Sequence, residues 1–246
     1  MSAPSRYRLS EIRAALAPVG VYWYSRLGST NVRAAELARA RELDVPSITL
    51  TGWQVTGRGR GTNTWWSSTG SLTVTAALPS HASRPAHQLP LLVGVIVRRT
   101  IAAATGVEDV MLKWPNDLLH HDRKLGGLLC ERVNGVDLIG LGLNVNLNIA
   151  AAPPLLRERI TSLSNIIGKP VDQTEMLLTL IRALVTELDR PREWHDVLGE
   201  YNRHHFLTGR QISVSNFDHP QISGFCIGLD PDGRLILKSG NKLHHI

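Results

Sequence analysis

The sequence predicts an α/β (α+β) protein, with a main domain of interleaved strands and helices over residues 1–205 and a small β-barrel over residues 206–246. Three observations predict this. Up to His205, short apolar runs rich in Val, Ile, Tyr and Trp are separated by stretches with the 3.6-residue apolar period of amphipathic helices. Asn134-Gly135 lies between apolar runs at 128–133 and 136–143, which pairs them as an antiparallel hairpin. Beyond Phe206 the helical period stops, and short strands follow at 211–214, 222–229 and 235–237, the last two joined by a turn at Asp230-Pro231-Asp232-Gly233.

Taken in order, residues 9–16 read as a short helix stopped by Pro18, and 21–27 as a strand. Ser29, Thr30 and Asn31 then open a helix over 32–43. They suit its unpaired N–H groups, and a strand running into a helix N-terminus also suits an anion. Residues 47–53 form the next strand. In 71–78, Leu72, Val74, Ala76 and Leu78 alternate with small or polar residues, which predicts a strand with one buried face. A helix over 88–104 packs its Leu, Val and Ile on the sheet.

A further strand runs into Lys113-Trp114-Pro115-Asn116-Asp117, where Asn and Asp after Pro suit a turn. Lys124-Leu125-Gly126-Gly127 leads into the strand at 128–133 and sets Lys124 at its entrance. Gly140 and Gly142, inside the following strand, point to backbone held close to something bound. Residues 174–188 carry Met176, Leu177, Leu180, Ile181, Leu184 and Leu188 on one core-facing stripe, and 192–205 reads as a last helix.

The segment Gln54-Val-Thr-Gly-Arg-Gly-Arg-Gly-Thr-Asn-Thr-Trp-Trp66 is the least ordinary. Gly57, Gly59 and Gly61 alternate with Arg58 and Arg60, so a permissive backbone carries two guanidinium forks into one small volume, an arrangement suited to phosphate or carboxylate. A solvated surface loop is the plainer alternative.

With 246 residues, 43% hydrophobic and 20% charged, the chain is globular; it has neither a membrane-length apolar stretch nor an apolar leader, and a cytoplasmic location is expected. Cys130 and Cys226 read as reduced core thiols. The paired histidines, His120-His121, His204-His205 and His244-His245, read as exposed loop and terminal residues rather than zinc ligands. The net charge of +6 admits nucleic acid, an acidic partner or a polyphosphate, and the scatter of the arginines weighs against nucleic acid.

Four segments in this order, Ser29-Thr30-Asn31, the glycine–arginine loop, Lys113 to Asp117 with Lys124-Leu125-Gly126-Gly127, and Gly140 to Asn144, resemble the biotin protein ligases. The resemblance implies a mixed-sheet catalytic domain and a C-terminal SH3-like barrel. It also implies ATP-dependent activation of biotin to biotinyl-5′-AMP with Mg²⁺, then transfer to a lysine of a biotin carboxyl carrier protein of acetyl-CoA carboxylase or a related carboxylase. By position, Ser29, Thr30, Asn31, Gln54, Gly127 and Gly140 bind biotin. Arg58, Gly59, Arg60 and Lys124 act on biotin, and the two arginines and Lys124 also act in catalysis on the nucleotide. Trp65, Asn116 and Asn144 contact the nucleotide, and Asp117 lies near Mg²⁺. A loop that orders on ligand binding, and either a homodimer or a carrier docked at a sheet edge, complete the expectation.

Three departures qualify it. Some twenty residues precede the first strand, too few for a helix-turn-helix, so DNA binding is not expected. Thr62, Asn63 and Thr64 replace the family's usual Gly and basic residue, which predicts weaker loop closure. Ile246 comes early, which predicts an incomplete barrel. A biotin or nucleotide sensor without transfer activity, and a lipoate or octanoate ligase, are the competing readings.

Overall fold

A seven-stranded mixed sheet carries the larger part of the chain in the computed structural model, which describes residues 7–190, 192–216 and 219–246. Helix α1 (Leu9–Leu16) leads into β1 (Gly20–Tyr24), α2 (Thr30–Ala40) and β2 (Ser47–Thr51). A small ribbon of β3 (Gly57–Arg58) and β4 (Thr64–Trp65) precedes β5 (Ser71–Pro79) and α3 (Leu89–Thr105). Four strands follow, β6 (Val110–Lys113), β7 (Asp117–His120), β8 (Arg123–Val133) and β9 (Val136–Asn144). Short helices α4 (Pro154–Arg157) and α5 (Leu163–Ile167) lead to α6 (Gln173–Asp189) and α7 (Trp194–Arg203). The sheet order is β1-β2-β5-β9-β8-β7-β6, with β1 and β2 parallel and every other pair antiparallel.

Asn134 and Gly135 both take positive φ, 49° and 79°, the geometry a two-residue turn needs to match the twist of β8 and β9. The α6 stripe is buried as its period requires. Asp172 caps this helix, its Oδ1 accepting from Thr174 N at 2.9 Å and Glu175 N at 3.2 Å.

The one-faced reading of residues 71–78 does not hold, because β5 is buried from Ser71 to Leu78. It is a central strand covered on both sides. Leu72, Val74, Ala76 and Leu78 join the main core with α3 and α6, while Ala77 packs with Leu138 against Ala34 and Ala35 of α2. Small residues on that face let α2 lie close to the sheet. Strand β7 was not legible, and β8 begins five residues before 128, because the turn after Lys113 joins two strands too short to show a period.

The C-terminal segment forms an antiparallel sheet of β10 (Gln211–Asn216), β11 (His219–Leu229), β12 (Leu235–Ser239) and β13 (Lys242–His245). The last strand is one more than the sequence suggested, and Leu235 and Ile246 exchange backbone hydrogen bonds of 3.1 and 2.9 Å beside it. Cys226, Leu229, Leu235 and Leu237 belong to the same hydrophobic core as α3 and α7. Trp194 Nε1 donates to Pro231 O at 2.7 Å, and Trp114 Nε1 to Gly233 O at 3.0 Å, tying this sheet to the rest. Among the described residues no helix is long and apolar enough to cross a membrane, and both cysteines are free thiols.

The histidine reading needs correction. His205 is buried, its Nδ1 lies 3.0 Å from Thr208 Oγ1, and burial pushes its pKa down to about 4. In the unfolded chain the imidazole titrates near 6.5. Between these values the unfolded state binds more protons, so the stability this neutral group supports is full above about pH 6.5 and is lost as the pH falls towards 4. The unfolding free energy of the parent chain, measured in urea, should therefore drop by roughly 2–3 kcal/mol more between pH 7.5 and 4.5 than that of His205→Gln. Parallel pH profiles would remove His205 as the cause.

Candidate functional site

The start of α2 is held by side chains from elsewhere in the chain. Ser29 makes no capping hydrogen bond; Gln54 Oε1, 24 residues downstream, accepts from Thr30 N at 2.9 Å and Thr30 Oγ1 at 3.3 Å. Capping by Ser29, Thr30 and Asn31 is thus replaced by a side-chain cap from beyond β2. Thr75 donates to Asn31 Oδ1 at 2.6 Å, and Asn31 Nδ2 donates to Leu129 O at 2.9 Å and Glu131 Oε2 at 3.0 Å. Asn31 is therefore saturated by the protein. A Cβ on Gly140 would overlap the Asn31 amide, and one on Gly142 would overlap the Trp65 ring. These glycines hold the β9 backbone against the chain's own side chains, not directly against a ligand.

The glycine–arginine segment is a paired ribbon, with Gly57 opposite Trp65 and Arg58 opposite Thr64. Gly59 N donates to Asn63 O at 2.8 Å and Asn63 Nδ2 donates to Arg60 O at 2.9 Å, so the departure at Thr62 to Thr64 supplies the residue that closes the turn. Of the three glycines here only Gly61 takes positive φ, at 63°; Gly57 is needed because a Cβ would strike Trp65 O. Arg58 is exposed and has no ion-pair partner among the described residues. The Arg60 guanidinium lies 6.0 Å from the centre of the Trp114 ring.

Opposite the ribbon, Lys124 Nζ sits 2.6 Å from Asp117 Oδ1 and 5.7 Å from the centre of the Trp65 ring. A Cβ on Gly127 would press on both members of this pair, at 3.2 Å from Asp117 Oδ1 and 3.2 Å from Lys124 Cε. Asn116 Nδ2 donates to Leu128 O at 2.6 Å, which ties the β6–β7 turn to β8. Asn144 Nδ2 donates to Thr161 O at 3.0 Å, while Asn144 Oδ1 and Trp65 Nε1 are buried without partners. An acceptor and a donor left unpaired in this way call for an explanation at a binding site.

All of these groups surround one cavity of about 760 Å³, within the range of small-molecule sites. Ser29, Thr30, Asn31, Gln54, Arg58, Gly59, Arg60, Trp65, Asn116, Asp117, Lys124, Gly127, Gly140 and Asn144 all line it. Sequence reasoning missed Lys113 as a lining residue, and Arg159 and Arg210 altogether. Arg210 stacks 3.9 Å from the centre of Phe206 and pairs with Asp122 at 3.2 Å. No local pattern marks Arg159; it reaches the site because Lys124 N donates to Arg159 O at 2.8 Å. Lining cations are Arg58, Arg60, Lys113, Lys124, Arg159 and Arg210, against the carboxylates of Asp117 and Asp122. The field in the cavity favours a polyanion, and its neutral wall of hydroxyls and amides favours an uncharged polar group.

Comparison with known proteins agrees with this chemistry. Residues 23–148 match the Biotin/lipoate A/B protein ligase family. The bifunctional ligase/repressor BirA of Bacillus subtilis is 32% identical over 186 residues, 71% of this chain and 56% of that protein. The biotin--[acetyl-CoA-carboxylase] ligase of Mycobacterium tuberculosis is 27% identical over 226 residues, 89% of this chain and 83% of that protein. The structure of the Aquifex aeolicus biotin protein ligase in complex with biotin and ATP superposes with a TM-score of 0.82 at 25% identity, covering 92% of this chain and 95% of that one. This chain spans about half the length of the first Bacillus relatives, 56% and 48%. A match over half of the sequence, the shared mixed sheet and the convergence of the motif residues on one cavity lead to one assignment: the chain belongs to the biotin/lipoate A/B protein ligase family.

Proposed function

We propose that this chain is an ATP-dependent biotin protein ligase. The supporting observation is a single cavity with a neutral hydroxyl and amide wall at α2 and a cationic wall built from the ribbon and Lys124. Biotin has the matching halves, a neutral ureido ring and an anionic carboxylate. Ser29, Thr30 and Gln54 take the ring system. Asn31, already saturated, holds the wall in shape.

In the first step a biotin carboxylate oxygen attacks the α-phosphorus of ATP, the bond to the bridging oxygen breaks, and pyrophosphate leaves. Two anions must approach, and charge grows on the phosphate oxygens. Lys124 bridges carboxylate and α-phosphate, and Arg58 and Arg60 take the departing charge. A preorganised donor of this kind contributes about 3–4 kcal/mol to the transition state. Asp117, one oxygen of which holds Lys124, keeps the ammonium aimed. Its other oxygen and the side-chain Oδ1 of Asn116 would suit a hard cation brought by the nucleotide. Mg²⁺ held there would neutralise phosphate charge. In the second step a carrier lysine amine attacks the anhydride carbonyl, an amide forms and AMP leaves. The carrier is the biotin carboxyl carrier domain of a biotin-dependent carboxylase.

The test is transfer of labelled biotin to such a domain with MgATP present or omitted. ATP-dependent label on the carrier lysine is expected, its incorporation suppressed when excess unlabelled biotin is present from the start and not when excess lipoate is. Biotin binding without label under either condition would overturn the ligase reading in favour of a sensor.

A further inference from the structure

Asp109, His120 and His121 lie outside the cavity, at the open end of the β6–β7 hairpin. Val110 pairs with His120, so extending the hairpin by one residue sets Asp109 across from His121. His121 takes φ of 50° and leaves the extended form in which consecutive side chains point to opposite faces. Both imidazoles consequently reach one carboxylate oxygen. His120 Nε2 lies 3.0 Å and His121 Nε2 3.7 Å from Asp109 Oδ2, and the two rings meet edge-on at 4.2 Å.

The three potential ligand atoms all lie within 4.8 Å of one another. A tetrahedral ion with bonds of about 2.0–2.1 Å holds its ligand atoms about 3.3 Å apart, which the two measured separations bracket. The side chains free to adjust are the exposed ones, His121 at 76% and Asp109 at 56%, while His120 at 15% is held by its strand. Two imidazoles and one carboxylate, without thiolate, suit Zn²⁺ and its borderline neighbours Co²⁺, Ni²⁺ and Cu²⁺ better than Mg²⁺ or Ca²⁺. Among the described residues no other three His, Cys, Asp or Glu side chains converge in this way.

We propose that Asp109, His120 and His121 form a surface site for a divalent transition metal of the Zn²⁺ class, with a fourth position left to water. The ion would pin the turn whose next residue, Asp122, rims the cavity and pairs with Arg210. This assignment is independent of the proposed ligase activity.

The test is titration of the tag-free full chain with Co²⁺, without nucleotide, followed by visible absorption and calorimetry. One Co²⁺ per chain, with tetrahedral bands that Zn²⁺ displaces, is expected. His121→Asn, which tolerates positive φ, and Asp109→Ala should each weaken binding by at least about tenfold, with unchanged thermal unfolding of the metal-free chain. His244→Ala should leave binding as it is. No uptake, or uptake equal in the parent, His121→Asn and Asp109→Ala, would overturn the assignment.

Discussion

Lys124→Ala is expected to lower biotin-dependent ATP–pyrophosphate exchange by about a hundredfold or more. In the mechanism proposed above, the variant loses a preorganised cation worth about 3 kcal/mol at the point where carboxylate and phosphate meet. It also leaves Asp117, now 2.6 Å from nothing positive, facing two anionic substrates. Both effects act on the chemical step. Stability should barely change, because the pair is partly exposed, 34% and 23%, and such pairs contribute at most about 1 kcal/mol. Asp117→Asn separates the two roles: it keeps the ammonium but loosens its aim, and should cost less. Exchange within about threefold of the parent for Lys124→Ala, with unfolding unchanged, would take Lys124 out of the mechanism.

Gly140→Ala should destabilise the fold by roughly 2–4 kcal/mol and abolish biotin binding. The new methyl enters the space of the Asn31 amide, which is fixed by Thr75, Leu129 and Glu131. Moving that amide leaves buried donors and acceptors unpaired, at about 1–3 kcal/mol for each group. Gly199→Ala is the matched control. It lies in α7 with no atom near the added carbon, and should be neutral or stabilise by up to about 1 kcal/mol. Urea unfolding and biotin calorimetry on both variants check the pair, and a Gly140→Ala chain as stable as the parent would show that the Asn31 wall yields.

Much of the frame was legible because it rests on local physics. The α6 stripe, the Asn134-Gly135 turn and the length of α3 follow from period, positive φ and composition within a few residues. The two-sided burial of β5 was not, since a strand's second face depends on which helix later covers it. The same limit hid β7, whose four residues carry no period, and the buried state of His205, which depends on a bridge to Leu112 from a distant strand.

The sequence by itself determined which segments converge on the cavity, because glycine–arginine alternation and Lys-Trp-Pro-Asn-Asp are local and rare. Only the tertiary structure decided what each of them touches. It turned Asn31 into a wall and Gln54 into a helix cap, and paired Lys124 with Asp117. It also brought Arg159 and Arg210 to the rim and Asp109 to His120 and His121. Hydrogen bonds and ion pairs reach only a few ångströms, and which side chains come within that reach is set by strand register and long-range packing rather than by neighbours in the chain.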